Sequence, residues 1–384
     1  MSSIDLVIGP QHPALHEPER FLFKVEGETV IDVEPRIGYV HRGIEKALEN
    51  RTFVQGVYLA ERVCGICNVA HSLCYVQAME DICEVELPER AKYLRVIAHE
   101  LNRIHSHILL LGVAGELLGF MTLFMLMWRD REDVMDLIER LTGNRVNSAY
   151  NVVGGVRRDI DSKLAEDLRK VMDRLYERMV RYKKVFANDP TVRARTVGVG
   201  LLSRAKAVDL CAVGPTTRGS GVKADVRDYL PYAAYEDLDF KLVSYEEGDV
   251  WARLMVRVDE TLEAIELIKR SLDKMPSGPI CIKPPRVIPK GEGFSVVEAP
   301  RGDLNYHVYG KGASTPDRVK IRTPTYANIP AVCEMFKGGY IADIPATLVS
   351  IDPCFACTDR VAIINVETGE RRSLTIEELT RRGK

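Results

Sequence analysis

Charge of one sign is missing from this 384-residue sequence: 53 Lys and Arg stand against 55 Asp and Glu, a formal net charge of −2. A chain so balanced lacks the concentrated basic surface that phosphate backbones demand, which excludes nucleic acid as the main partner. The basic clusters at Arg157–Arg158 and from Arg181 to Lys184 have acids close by and read as solvated faces. Internal repeats and low-complexity stretches are absent, so solenoids and disordered tails are excluded. The opening MSSIDLVIGPQHP has neither the charged n-region nor the apolar h-region of a signal peptide. The nine cysteines are therefore expected in a reducing compartment, kept as thiols for metal or catalysis. No G-x-G-x-x-G follows a strand-like segment, so nothing supports a flavin or nicotinamide site.

Long apolar runs are nearly absent too. The exception is LLLGVAGELLGFMTLFMLMW, residues 109–128, in which only Glu116 is charged. Its length permits a membrane span. Glu116 near the middle, the glycines at 112, 115 and 119, and the lack of a second such run favour a core helix covered on all sides.

The remaining pattern is a helical body with β-rich ends. IDLVI, FLFKVEG and TVIDVEP alternate like strands in an N-terminal β region, residues 1–42. Residues 43–275 read as helices: one from Glu45 to Glu61, another from His71 to Ile82, a third opened by Pro88, then Arg131 to Thr142, Asp161 to Phe186 and Trp251 to Lys274. GPTTRGSG, Gly214 to Gly221, is too rich in glycine for regular structure. Residues 276–360 form a mixed region with one short helix near Pro330–Met335, and residues 361–384 a tail. In that tail VAIINVETGERRSL reads as a hairpin turning at Thr368–Gly369, and TIEELTRRG as a capped helix.

Two cysteine pairs carry the chemistry: Cys64-Gly-Ile-Cys67 and Cys354-Phe-Ala-Cys357. A C-x-x-C turn brings two sulfurs within reach of one metal, and thiolates select Zn, Cu(I), Ni or iron clusters. A structural four-sulfur zinc site is the plainer alternative. Zinc ribbons close over about 15–20 residues, whereas 286 residues separate these pairs, as in an active site assembled at the centre of a body. The other five cysteines (Cys74, Cys83, Cys211, Cys281 and Cys333) show no cluster spacing. They are expected, in at least four cases, to be small buried hydrophobes. With no relay of its own, a redox metal here would exchange electrons through a partner protein.

Arg62-Val-Cys64-Gly-Ile-Cys67 with His71, and Asp352-Pro-Cys354-Phe-Ala-Cys357-Thr-Asp-Arg360, resemble the paired signatures of the large subunit of [NiFe]-hydrogenases. The likeness extends through GPQHP at residues 9–13, Glu17-Pro18, Arg42-Gly-Ile-Glu45, Gly143-Asn-Arg-Val146, GGVRRDI at residues 154–160, the GPTTRGSG segment and Ala299-Pro-Arg-Gly302. Within that family the chain is similar to the energy-converting, membrane-associated branch, which is related to the quinone-site subunit of respiratory complex I. The resemblance implies an α+β fold with a central helical bundle. It also implies a Ni–Fe(CO)(CN)₂ centre that interconverts H₂ with protons and electrons, Cys64 and Cys354 being terminal nickel ligands and Cys67 and Cys357 bridging to iron. A proton would pass to a terminal thiolate, Cys354, and on to Glu17. Arg301 would hang over the metals as a fixed cation beside Pro300 and Asp352, and His71 would hydrogen-bond near a bridging thiolate.

Glu45 matches a carboxylate that binds a second metal, Mg or Fe, in some members. Arg360 stands where those have His, so pairing of Glu45 with an arginine is the alternative. The remaining histidines are read as packed, hydrogen-bonded or surface residues. Implied partners are an iron–sulfur small subunit, ferredoxin-like subunits carrying [4Fe-4S] clusters, and antiporter-like membrane subunits, with this chain peripheral on the cytoplasmic side. Many relatives lose a C-terminal extension after nickel insertion, so the tail is either removed or retained. Two other readings stay open: a complex I-like electron-transfer subunit without hydrogenase activity, and a zinc-stabilised scaffold.

Overall fold

The computed structural model describes residues 3–13, 15 and 17–358, and the backbone of 363–364 and 371–372. The apolar alternation near the start yields three antiparallel strands, β1 (Ile4–Ile8), β2 (Arg20–Glu26) and β3 (Thr29–Arg36), with Phe21 opposite Pro35 and Phe23 opposite Val33. The helical stretch expected from Glu45 to Glu61 is two helices, α1 (Ile44–Glu49) and α2 (Phe53–Glu61). Thr52 makes the break: its hydroxyl accepts from the Gln55 amide, and the Gln55 side chain accepts from the Thr52 amide, a reciprocal cap that starts a new helix.

The apolar run at 109–128 is likewise not one helix. α3 (Asn68–Ile82) is followed by α4 (Glu89–Leu117), and α5 (Met121–Thr142) begins after a sharp turn. Gly119 adopts φ +82° there, and the Phe120 amide donates back to the Gly115 carbonyl, closing α4 as a glycine C-cap. Among the described residues no helix is long and apolar enough to cross a membrane. After a two-residue ribbon, β4 (Asn151–Val152) and β5 (Gly155–Val156), comes α6 (Ser162–Asn188), capped by Asp161. Its inward positions (Leu164, Leu168, Met172, Leu175, Met179, Tyr182 and Phe186) recur every three or four residues. Short helices α7 (Pro190–Thr196), α8 (Arg204–Asp209), α9 (Pro215–Arg218) and α10 (Val226–Tyr229) lead to α11 (Val250–Lys274). α9 lies inside GPTTRGSG, so that segment is not irregular throughout.

Helices α4, α5, α6 and α11 share one large apolar core. A second core joins α2 and α3 to the antiparallel sheet β6 (Ile288–Ala299), β7 (Gly302–Ala313) and β8 (Pro316–Arg322). A third lies between the N-terminal sheet and α12 (Pro324–Phe336) and α13 (Ile344–Ser350), so two helices stand where one short helix was expected. The tail strands β9 (Ile363–Ile364) and β10 (Arg371–Arg372) pair antiparallel, in line with the hairpin. Its turn at 368–369, the expected helix at 375–383, His16 and Arg360 lie outside the described residues.

The five unpaired cysteines depart from expectation. Cys74 is buried, Cys83 and Cys333 are half-buried, and Cys211 and Cys281 are exposed. The last two lie in loops, where surroundings rather than residue type set burial.

Candidate metal centre

The first C-x-x-C turn ends where α3 begins, so Cys67 occupies the helix N-cap. The Cys64 sulfur accepts from the amides of Ile66 at 3.4 Å and Cys67 at 3.3 Å. The turn is held from behind: Nε2 of His105 lies 2.9 Å from the Ile66 carbonyl, and the Asn102 amide donates to the same oxygen at 2.8 Å. The second pair sits on a 3₁₀ turn, Phe355–Cys357, just past α13. There the Thr325 hydroxyl accepts from the Cys354 amide at 3.1 Å, and the Thr323 hydroxyl donates to the Cys357 carbonyl at 2.7 Å. Arg42 ties the two turns together, donating to the carbonyls of Arg62, Val63 and Ala356.

These supports bring together sulfurs that are remote in the chain. Cys64 Sγ lies 3.2 Å from Cys354 Sγ, which lies 3.1 Å from Cys357 Sγ. Both distances exceed a disulfide bond of about 2.05 Å, and all four cysteines are free and buried. Cys64, Cys354 and Cys357 form one potential metal-ligand group and Cys67, His71 and Cys357 another, donor atoms within 4.8 Å in each. The donor set is all soft sulfur with one imidazole beside it, which fits nickel, iron or zinc and not magnesium or calcium. Hydrogen bonds from Cys354, Cys357 and Cys67 hold the Cys64 thiol well below its ordinary range. Cys357 is pushed well up by its bonds to Cys354, Cys64 and Cys67 and by burial.

The other expected residues surround the sulfurs. Glu17 Oε1 is 4.0 Å from Cys354 Sγ, and Oε2 accepts from the Ala356 amide at 2.8 Å. Burial raises the Glu17 carboxyl; the Ala356 amide opposes this, the Cys64 charge adds to it and Arg301 opposes it. Pro300 and Arg301 form the two-residue turn between β6 and β7, where Ala299 faces Gly302. Arg301 donates to the Asp352 carbonyl at 2.6 Å, to Asp352 Oδ1 at 2.7 Å and to Ser106 at 3.3 Å. It lies within electrostatic reach of Cys354, Cys67 and Cys64. Asp352 takes a left-handed φ of +55°, and its Oδ2 has no hydrogen-bond partner.

His71 Nε2 is 3.7 Å from Cys357 Sγ and Nδ1 is 2.8 Å from the Tyr306 hydroxyl. Burial pushes the His71 imidazole down to about 4, so it is neutral. Glu45 does not join this group: it accepts from the Ile321 amide at 3.0 Å and faces Lys320 at 3.4 Å. Among the described residues no metal-ligand group forms around it.

Tyr306, Ser106, Thr325 and Asn102 have no sequence signature, since none has a diagnostic spacing from a cysteine; Arg42 stands in the Arg42-Gly-Ile-Glu45 motif, which did not reveal its role as a tie between the turns. The apolar run at 109–128 also proves to border the site. A cavity of about 610 Å³ is lined by Leu109, Val113, Leu117, Phe124 and Trp128 and ends at Glu17, Ile66, Arg301, Asp352 and Pro353, next to the cysteines.

Four buried thiols gathered in one core beside a cavity define a candidate metal centre. The chain belongs to the family of the respiratory-chain NADH dehydrogenase 49 kDa subunit, whose model matches residues 118–288 and 285–360, while residues 42–112 match nickel-dependent hydrogenases. It is 41% identical over 392 residues to the membrane-bound hydrogenase subunit alpha of Pyrococcus furiosus, covering 98% of this chain and 91% of that one. It is 42% identical over 362 residues to the carbon monoxide-induced hydrogenase of Rhodospirillum rubrum, covering 94% and 100%. A chain of the membrane-bound sulfane sulfur reductase, an archaeal respiratory membrane complex, matches with a TM-score of 0.89 at 32% identity, covering 93% of this chain and 98% of that one.

Proposed function

We propose that the chain is the catalytic subunit of an energy-converting, membrane-associated [NiFe]-hydrogenase. The observation that carries this reading is the convergence of four buried thiols beside a cavity that also presents a carboxyl and an arginine. A structural zinc site is closed and needs no such access. Cys64, Cys67, Cys354 and Cys357 would hold a nickel–iron centre whose iron carries CO and cyanide. When bound, such a centre supplies heterolytic cleavage of H₂ and takes up the electrons. On this reading the electrons leave through an iron–sulfur small subunit and a ferredoxin-linked chain, ion pumping belongs to membrane partners, and this chain sits peripherally on the cytoplasmic side.

The chain's own residues handle the proton. Glu17 is near enough to Cys354 Sγ to take a proton after a small side-chain shift, and burial raises its affinity for one. Arg301, fixed by Asp352 and Ser106, keeps a positive charge facing the sulfurs without reorganisation. His71 bridges the Tyr306 hydroxyl and Cys357 through its two ring nitrogens; in the tautomer in which Tyr306 donates to Nδ1, the ring proton sits on Nε2 and faces Cys357.

Infrared spectroscopy of the purified complex tests the proposal. One metal-bound CO band with cyanide bands beside it, and one nickel per complex, are the expected result. Zinc at the cysteines without those bands in fully matured protein would replace it with the scaffold reading. No metal at all would favour a complex I-like electron-transfer subunit.

A further inference from the structure

The turn that carries Arg301 is a hairpin tip buried in the protein, and buried hairpin tips need partners for their backbone. Here they come from two places the cysteine chemistry does not use. Arg103, on α4, donates from Nη2 to the Glu298 carbonyl and from Nη1 to the Ala299 carbonyl at 3.4 Å. Arg218, in GPTTRGSG, donates to the Glu298 carboxylate at 2.8 Å, and the amides of Val226 and Glu298 are satisfied by that carboxylate and the Tyr232 hydroxyl. Both arginines are fully buried, and each is paired: Arg103 with Glu100, and Arg218 with Glu260 and Asp225.

Glycine completes the grip. A Cβ on Gly214 (φ +68°) would stand 2.3 Å from the Arg301 carbonyl oxygen, and one on Gly302 (φ +128°) 2.7 Å from the Gly214 amide nitrogen. Backbone meets backbone at this point, which only glycine permits.

We propose that Arg103, Arg218 and Gly214 form a clamp that positions the 298–302 hairpin tip, so that Arg301 is aimed at the metal-binding thiols by its backbone as well as by Asp352. The proposal deepens the hydrogenase reading and rests on it for the catalytic consequence. Arg103 and Arg218 are positioning residues: they meet the hairpin and not the sulfurs, and both act through Arg301. The reason for two arginines is geometric, because a planar fork spans two acceptors where an ammonium would reach one.

The test uses the purified complex with Arg103→Lys and Gly214→Ala, read three ways. Cyanide and CO bands report the field at the centre. H₂ oxidation kinetics separate kcat from KM. Amide hydrogen exchange of a peptide spanning residues 298–304 reports the tip without reference to any metal. A misplacement on the order of 1 Å costs about 10²-fold in rate, so kcat is expected to fall about 10- to 100-fold with KM unchanged, cyanide bands to shift and broaden, and the 298–304 peptide to exchange faster at full nickel content.

Bands, kcat and tip exchange all at wild-type values in both variants would overturn the proposal. Faster tip exchange with unchanged bands and kcat would overturn the aiming of Arg301. If wild-type protein shows no CO or cyanide bands, the hydrogenase reading fails, and unchanged tip exchange would then overturn the clamp as well. Arg218→Lys serves where either variant does not accumulate.

Discussion

Glu61 closes α2, three residues before Cys64, and is fully buried without an ion-pair partner among the described residues. Its Oε1 accepts from the Ser148 hydroxyl at 3.4 Å, and Oε2 has no hydrogen-bond partner. Burial raises its carboxyl to about 7 from an ordinary 4.5, opposed by the Ala149 amide and the charge of Arg62. The folded state therefore binds this proton more tightly than the unfolded chain. The stability it contributes is fully present below the unfolded value near 4.5 and is lost as pH rises through 7. A shift of that size corresponds to about 3 kcal/mol, each pH unit being worth about 1.4. Glu61→Gln keeps the shape and abolishes the titration. Urea unfolding of both proteins at pH 5 and pH 8 should show a gap of about 1 kcal/mol in favour of the variant at the lower pH and of about 3 kcal/mol at the higher one. Other titrating groups cancel in the comparison because they are common to both. A gap independent of pH would refute the reasoning and place a water or cation on the orphaned oxygen.

Other expectations follow from single contacts. Glu17→Gln should slow H₂/D⁺ exchange by about 10²- to 10⁴-fold, the range for a lost general acid–base group, while infrared bands persist; loss of the bands would make Glu17 structural. Cys64→Ser should cut nickel retention in metal analysis, because a hydroxyl is a poor substitute for a thiolate toward soft metals. Gly56→Ala places a Cβ 2.1 Å from the Tyr75 hydroxyl, and thermal unfolding should show a destabilisation of about 1–3 kcal/mol from overpacking.

What the sequence made legible was whatever depends on spacing. The C-x-x-C pairs have a chemical meaning at any burial, and the three- and four-residue period of α6 predicts its inward face directly. Other features depend on partners far along the chain and leave no local trace. Arg95, Arg103, Arg218 and Arg253 look like solvated residues in sequence, yet all are fully buried because carboxylates and carbonyls from other elements meet them. The break at Gly119 had a signal, the glycine itself, masked by apolar residues on both sides. The GPTTRGSG segment was legible as a glycine-rich turn, but not as the surface against which the Arg301 hairpin closes. Exposure of Cys211 and Cys281 follows from loops that residue type does not predict.

The thiol cluster also bears on how the two ends of the chain hold together. All four cysteines lie in the core of α2, α3 and the C-terminal sheet, but the 3₁₀ turn bearing Cys354 and Cys357 follows α13, and its Phe355 packs in the core of the N-terminal sheet. Without metal, the sulfurs can offer one another only weak S–H hydrogen bonds, and the turn relies on Thr323, Thr325 and Arg42. Metal binding would displace the thiol protons and convert those contacts to bonds, so its free energy becomes stability of that junction. Removing the metal should therefore accelerate amide exchange across residues 344–358 far more than across residues 164–186 of α6, which packs on α5, α7 and α11. Equal protection of both segments with and without metal would mean that the junction is held by its protein contacts alone, and that the thiols are arranged for chemistry without serving as a staple.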